Sequence, residues 1–321
     1  MKVLMTRKIL PQGIERLRNF TDELIINESS NNMGRPELLE KVRGVDAIAS
    51  LLSDKIDKEV MEAAGPQLKI IANYAVGYNN IDVDEATKRG IMVTNTPDVL
   101  TDATADLAWA LIMTLSRRII EADQYCREGK FTGWSPDLML GMELSGKTIG
   151  ILGAGRIGQA TGRRARAFGM NIIYCSRHDK FKFEVETKAT RVGLEDLLKD
   201  ADIVSIHLPL VEGTYHLLDE HELGLMKKSA FLINTGRGPI VNEQALVNSL
   251  QAGKIAGAGL DVYEAEPDIH WELIKMKNTV LLPHIGSATT ETRRKMSEMV
   301  ADNIIAALSG KKPKNLVNKV K

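Results

Sequence analysis

The chain is short of cysteine and of any charge surplus, and each shortage removes a class of function. Two cysteines in 321 residues, Cys126 and Cys175, make neither a disulfide framework nor a metal site, and no metal is expected. Both fall in apolar helical or strand-like context, where buried structural thiols are expected. Lys+Arg and Asp+Glu both number 42. A neutral chain exerts no long-range pull on nucleic acid or an anionic membrane, so a small anionic substrate has to be drawn in by charge placed locally. No apolar run approaches the roughly 18 residues of a membrane-spanning helix. Lys2, Arg7 and Lys8 interrupt the segment where a secretory signal needs unbroken apolar residues. The expectation is a reducing cytoplasm, with no nucleic-acid or membrane partner.

What is present is globular: 44% apolar and 26% charged residues, in a length that suits two domains. Short β-rich runs alternate with amphipathic helical patterns nearly end to end. The first series is Val3–Met5, Leu24–Ile26, Ala47–Ala49, Ile70–Ala72 and Met92–Thr94. The second is Thr148–Leu152, Ile172–Cys175, Ile203–Ile206, Phe231–Ile233, Gly257–Leu260 and Val280–Leu282. Such alternation predicts an α/β protein with doubly wound parallel sheets covered by helices. A long helical stretch from Thr101, a loop over 129–146 and a final helix after Gly286 bracket the second series. The first domain is therefore expected to be discontinuous, 1–100 with 287–321, around a dinucleotide-binding domain of 101–286. The lysine-rich tail from Lys311 reads as a solvated end.

Gly153-Ala154-Gly155-Arg156-Ile157-Gly158 follows the strand Thr148–Leu152 directly and opens a helix. A lone pattern of this kind is weak; the strand before it and the helix after it are what give it weight. Gly153 permits the turn, Gly155 lets the backbone approach a pyrophosphate, and Gly158 allows close helix–strand packing. Free N–H groups at the helix start then face the anion. About 20 residues on, the next strand runs into Ser176-Arg177-His178, with no carboxylate at its tip; Asp179 follows later. Ser176 can donate to a 2′-phosphate and Arg177 can oppose its charge, which favours NADP. NAD is the alternative, with Arg177 lying over the adenine.

Three loops after strands of the second series each carry a chemically apt residue: Arg237, Asp261 with Glu266, and His284. Ligands of doubly wound sheets collect beyond the carboxyl ends of the strands. His284 can donate a proton, because imidazole titrates near working pH. Glu266, hydrogen-bonded to the other ring nitrogen, would fix the tautomer and favour the imidazolium. Arg237 would grip a carboxylate with its planar fork.

These loops, the segment Asn73-Tyr74-Ala75-Val76-Gly77-Tyr78-Asn79-Asn80-Ile81-Asp82 and the glycine fingerprint, taken in this order, resemble the D-isomer-specific 2-hydroxyacid dehydrogenases, especially the glyoxylate/hydroxypyruvate reductase branch. The resemblance covers nearly the whole chain. It implies a flavodoxin-like substrate domain and a Rossmann cofactor domain with a cleft between them, a homodimer, and the roles just given for Arg237, Glu266 and His284. It further implies substrate contacts at Leu51, Leu52, Ser53 and the N–H groups of Val76 and Gly77. Trp134 and Met139 would reach a neighbouring subunit; for Trp134, plain interface packing is equally open. Cofactor contacts would fall at Thr104, His207, Leu208, Pro209, Thr214, Thr235, Gly236, Asp261 and Gly286, with Asp261 near the nicotinamide amide. Gly236 departs from the family's usual Ala or Ser, and a looser loop is expected there.

The reaction so implied is NAD(P)H-dependent reduction of glyoxylate or hydroxypyruvate to the 2-hydroxy acid. One alternative is an NAD-dependent D-lactate, D-glycerate or phosphoglycerate dehydrogenase. Another is a nicotinamide-sensing protein like the corepressors that share this fold, which would recruit partners and turn over no keto acid.

Overall fold

The structure is a computed structural model describing residues 1–29 and 31–320. The chain forms two compact units, Met1–Leu100 with Ser287–Lys321, and Thr101–Gly286.

In the first unit five strands, β1 (Lys2–Met5), β2 (Glu23–Ile26), β3 (Ala47–Ser50), β4 (Ile70–Asn73) and β5 (Met92–Thr94), lie in the order β2-β1-β3-β4-β5. All pairings are parallel. Side chains alternate across a strand, so Leu4, Ile48, Ile71 and Val93 fill one core while Val3, Met5, Ala47, Ala49, Ile70 and Ala72 fill the other. Burial on both faces explains the unbroken apolar runs. The helix Thr290–Leu308 closes the second core with Val300, Ala301, Ile304 and Ala307, at helical spacing. Gly13 lets the helix Pro11–Arg18 pack against it, since a Cβ there would come within 2.3 Å of the Ser297 carbonyl oxygen.

The second unit carries seven parallel strands: β6 (Thr148–Leu152), β7 (Asn171–Cys175), β8 (Thr190–Arg191), β9 (Ile203–Ile206), β10 (Phe231–Asn234), β11 (Gly257–Leu260) and β12 (Thr279–Leu281). Their order is β12-β11-β10-β9-β6-β7-β8, so winding reverses between β6 and β9. Register pairs Leu152 with Cys175 and with Ile206, Ile206 with Asn234, and Asn234 with Leu260. The carboxyl ends of these strands are therefore level, and the loops that follow leave from one edge of the sheet. The helix Thr101–Ser116 buries Ala108, Leu111, Ile112 and Leu115 with Ile149, Ile151, Ile203 and Ile233.

Three expectations change. The stretch from Thr101 is not one helix: it stops at Ser116, Arg118 takes a left-handed conformation (φ 53°), and a second helix runs Ile119–Arg127. No Gly or Pro marks that break. Cys126 lies on this second helix and is exposed, not buried, because none of the helix's residues is buried; Ile119 and Ile120 are exposed with it. Cys175 is partly buried. The edge strand β8, only two residues long, has no counterpart among the predicted runs. Among the described residues no helix is long and apolar enough to cross a membrane.

Candidate active site

The Gly153–Gly158 turn leaves β6 at the level carboxyl edge. Gly153 adopts φ 100°, open to glycine alone at low cost, and its N–H donates to the Cys175 carbonyl at 3.0 Å. Gly158 is demanded by contact: a Cβ would come within 2.1 Å of the Gly153 carbonyl oxygen. Gly155, by contrast, has nothing within 4 Å of where its Cβ would be. It caps the helix Arg156–Ala167 without a side-chain bond, and that helix has no acid in its first turn. Open space above a bare helix start is a cradle that suits a phosphate group, so the residues present fit a dinucleotide. Ala154 behind the turn is buried, and Ile157 and Arg156 stand in the helix's first turn.

Ser176 and Arg177 follow β7. Ser176 Oγ donates to the His178 carbonyl at 2.6 Å, so donation to a 2′-phosphate requires the hydroxyl to rotate. Arg177 is exposed. Beyond β9, His207 Nε2 meets Ser205 Oγ at 2.9 Å while its Nδ1 is buried without a partner among the described residues. The residue as a whole is only partly buried, yet burial of the ring pushes its pKa down to about 3, so the ring is neutral. Leu208 and Pro209 continue this loop, and Thr214 turns its hydroxyl onto the Pro209 carbonyl at 2.7 Å.

After β10, Asn234 clamps its loop from both sides. Its Oδ1 accepts from Gly236 N at 3.0 Å and its Nδ2 donates to the Arg237 carbonyl at 2.9 Å. A Cβ on Gly236 would lie 3.2 Å from the Leu208 carbonyl oxygen. Glycine therefore sits in a tight, tied loop, contrary to the looseness expected of it. Thr235 Oγ1 is buried with no partner among the described residues. Arg237 Nη1 donates to the Gly236 carbonyl at 2.8 Å. Burial lowers its pKa and the nearby Glu266 charge opposes that.

His284 Nδ1 stands 2.8 Å from Glu266 Oε2, and Glu266 Oε1 accepts from Tyr263 N at 3.1 Å. Burial alone would raise the Glu266 carboxyl. The hydrogen bond and charge of His284, the Tyr263 N–H and the charge of Arg237 outweigh it and hold the carboxyl below its ordinary value. His284 has φ 53°, a strained position for a non-glycine. Asp261 holds that conformation: its Oδ1 accepts from Ile285 N at 2.7 Å and its Oδ2 from Gly286 N at 2.8 Å. Burial pushes the Asp261 carboxyl up, against the pull of those N–H groups and of His284. Both its oxygens are thus engaged in aiming the histidine, a task that sequence did not disclose. Thr104 Oγ1 donates to the Gly286 carbonyl at 3.2 Å. One edge of one sheet so carries a phosphate cradle, an arginine and a paired acid and imidazole.

A family model described as "D-isomer specific 2-hydroxyacid dehydrogenase, NAD binding domain" matches residues 109–286. The chain belongs to the D-isomer-specific 2-hydroxyacid dehydrogenases. A glyoxylate reductase of Thermococcus litoralis is 55% identical over 99% of this chain and 97% of its own length. Among solved structures, a glyoxylate reductase from Paecilomyes thermophila has a TM-score of 0.89 at 35% identity, covering 99% of this chain and 98% of that one. An NADPH-dependent glyoxylate/hydroxypyruvate reductase from Sinorhizobium meliloti, in complex with NADP and malonate, has a TM-score of 0.86 at 36% identity, covering 98% and 96%.

The remaining substrate candidates of this dehydrogenase belong to the first unit. Leu51 and Ser53 follow β3, and Val76 and Gly77 follow β4. Asparagine amides tie the two loops together. Asn80 Nδ2 donates to the carbonyls of Leu51 (2.9 Å) and Asp54 (3.0 Å), and Asn73 Nδ2 to that of Gly77 (2.8 Å). Asn95 Nδ2 donates to the Val76 carbonyl at 2.8 Å. In a planar trans peptide the N–H opposes the C=O, so this bond turns the Gly77 N–H away from Asn95. Trp134, in the second unit, is 83% exposed, and Met139 nearby takes φ 51°. A cavity of about 490 Å³ lined by Met113, Arg117, Met142, Leu144 and Phe168 shares no residue with the site.

Proposed function

We propose that this dehydrogenase reduces a small 2-keto acid, glyoxylate or hydroxypyruvate, to the D-2-hydroxy acid, with NADPH as preferred reductant and NAD(H) as the alternative. The observation that carries the reading is the 2.8 Å contact between His284 and Glu266 at the carboxyl edge of the sheet that also bears the phosphate cradle. Bound in the cradle, the dinucleotide would supply the hydride. The Nδ1–H of His284 donates a hydrogen bond to Glu266, which leaves the Nε2–H to pass its proton to the substrate's carbonyl oxygen. Arg237 binds the carboxylate and polarises the carbonyl. Thr235 Oγ1 is offered to the nicotinamide amide, and Ser176 with Arg177 to a 2′-phosphate. In the first unit the N–H groups of Val76 and Gly77 are offered to a carboxylate.

The same reading takes the enzyme as a cytoplasmic homodimer. Exposed Ile119, Ile120, Phe131, Trp134, Leu138 and Leu140 form an apolar sequence segment that a second copy would cover.

The test is steady-state oxidation of NADPH and, separately, NADH with each keto acid. Turnover with marked NADPH preference is the expected result. Turnover with NADH alone overturns the cofactor choice, and no turnover in protein that binds the dinucleotide overturns the substrate class.

A further inference from the structure

Arg191 stands on the two-residue edge strand β8, paired with Tyr174 of β7, and its guanidinium runs to a single loop. Nε donates to the Ser176 carbonyl at 2.9 Å, Nη2 to the Arg177 carbonyl at 3.2 Å, and Nη1 to Asp179 Oδ1 at 2.8 Å. From the other side, the Tyr174 hydroxyl accepts from Lys180 N at 2.8 Å and donates to Glu184 Oε1 at 2.6 Å. The segment from Ser176 to Lys180 is thus pinned at both ends. The Arg177 guanidinium itself enters no hydrogen bond or ion pair with the described residues.

Asp179 is the only carboxylate in that segment. Left unpaired beside a ribose, it would accept from a 2′-hydroxyl and repel a 2′-phosphate. We propose that Arg191 sets the choice of dinucleotide: it neutralises Asp179 and fixes the loop carbonyls, so that the loop offers Arg177 to a 2′-phosphate and not Asp179 to a 2′-hydroxyl. The inference rests on the proposed 2′-phosphate site at Ser176 and Arg177. Arg191 acts here as a positioning residue. Its side chain is 39% exposed and that of Asp179 47%, and an ion pair so exposed adds little to stability. Arg191→Ala is therefore expected to fold with the wild-type melting temperature.

The test is calorimetric titration with 2′,5′-ADP and with 5′-ADP, fragments that differ only in the 2′-phosphate. Wild type, Arg191→Ala, Arg191→Lys, Asp179→Asn and the double variant R191A/D179N are compared. The wild-type ratio of the two dissociation constants tests the 2′-phosphate site alone; without a preference for 2′,5′-ADP that site falls, and this inference with it. Given that preference, Arg191→Ala lowers the ratio about tenfold, as one surface charge does to a neighbouring phosphate. Asp179→Asn keeps the ratio, R191A/D179N recovers most of it, and Arg191→Lys, which keeps the charge without the fork, falls between. An unchanged ratio in Arg191→Ala overturns the inference while leaving the site standing. A double variant as unselective as Arg191→Ala overturns it too, because Asp179 is then not what Arg191 restrains.

Discussion

Gly238 lies so close to the backbone of Tyr263 that a Cβ on it would come within 1.9 Å of the Tyr263 carbonyl. Gly238 follows Arg237, and Tyr263 donates its N–H to Glu266. The contact therefore joins the loop that presents the arginine to the loop that presents the acid. Tyr263 extends the connection to a third loop, its hydroxyl donating to the Leu282 carbonyl at 2.8 Å, two residues before His284. The three chemical groups come from three strands, yet Tyr263 sets their loops against one another, through its backbone at Gly238 and its hydroxyl at Leu282.

Gly238→Ala is thus expected to harm both stability and catalysis. Neither backbone can yield without moving Arg237 or Glu266, and overpacking of this kind costs about 1–3 kcal/mol. Turnover should fall further than the loss of folded protein explains. Melting temperature and kcat measured on the same preparation check it; wild-type kcat in a destabilised variant would show that the loops are not coupled.

His284→Ala removes the proposed proton donor and leaves the Gly153–Gly158 turn intact. A positioned acid contributes roughly 10²–10⁴-fold, so kcat for keto-acid reduction should fall by about that factor. The NADPH dissociation constant, read by fluorescence titration, should stay within about twofold, since no part of the Gly153–Gly158 turn depends on His284. A near-normal rate would mean that the proton comes from another group.

The sheets were legible in the sequence, and the candidate site was proposed from them. Strands buried on both faces announce themselves as apolar runs, so β6, β9, β10 and β11 were found nearly to the residue. Arg237, Glu266 and His284 were proposed because each lies in a loop after such a run, and the structure does bring Glu266 and His284 into contact. What stayed hidden lies in contacts without pattern. The edge strand Thr190–Arg191 has two exposed residues and no alternation. The helix break falls at Arg118, a residue that carries no breaker signal. Asp261 looked like a ligand contact, whereas its oxygens hold the peptides after His284. Cys126 looked like a core thiol from its apolar helical context, but its helix presents its residues outward, Ile119 and Ile120 included.

The depressed Glu266 carboxyl makes a pH-dependent statement about stability. Its folded value lies below its ordinary value of 4.5. The contribution is therefore whole above about pH 4.5 and is lost as pH falls through the lower folded value. Glu266→Gln should melt below wild type at pH 6, and the gap should close progressively below pH about 4.5. The variant should also lose kcat, by up to about 10⁴-fold, as when the carboxylate orienting a catalytic histidine becomes an amide. A melting gap that is constant from pH 6 to pH 3 would contradict the depressed value.

Gly155 and Gly158 belong to one motif but answer to different constraints, and alanine separates them. At Gly155, φ is −75° and a Cβ meets nothing within 4 Å. Alanine there should leave stability within about 1 kcal/mol of wild type, the entropy gained on Gly→Ala offset by the loss of a glycine N-cap. The methyl group would stand where a pyrophosphate must approach the helix start, so NADPH binding should weaken at least about tenfold. At Gly158 a Cβ would press on the Gly153 carbonyl oxygen at 2.1 Å and on Ile151 at 2.9 Å. That variant should lose about 1–3 kcal/mol of stability. Its binding should suffer mainly because the turn is displaced. Chemical denaturation and NADPH titration of both variants decide the matter. If Gly155→Ala binds NADPH like wild type, the cradle is not where the pyrophosphate lies, and the motif serves packing alone.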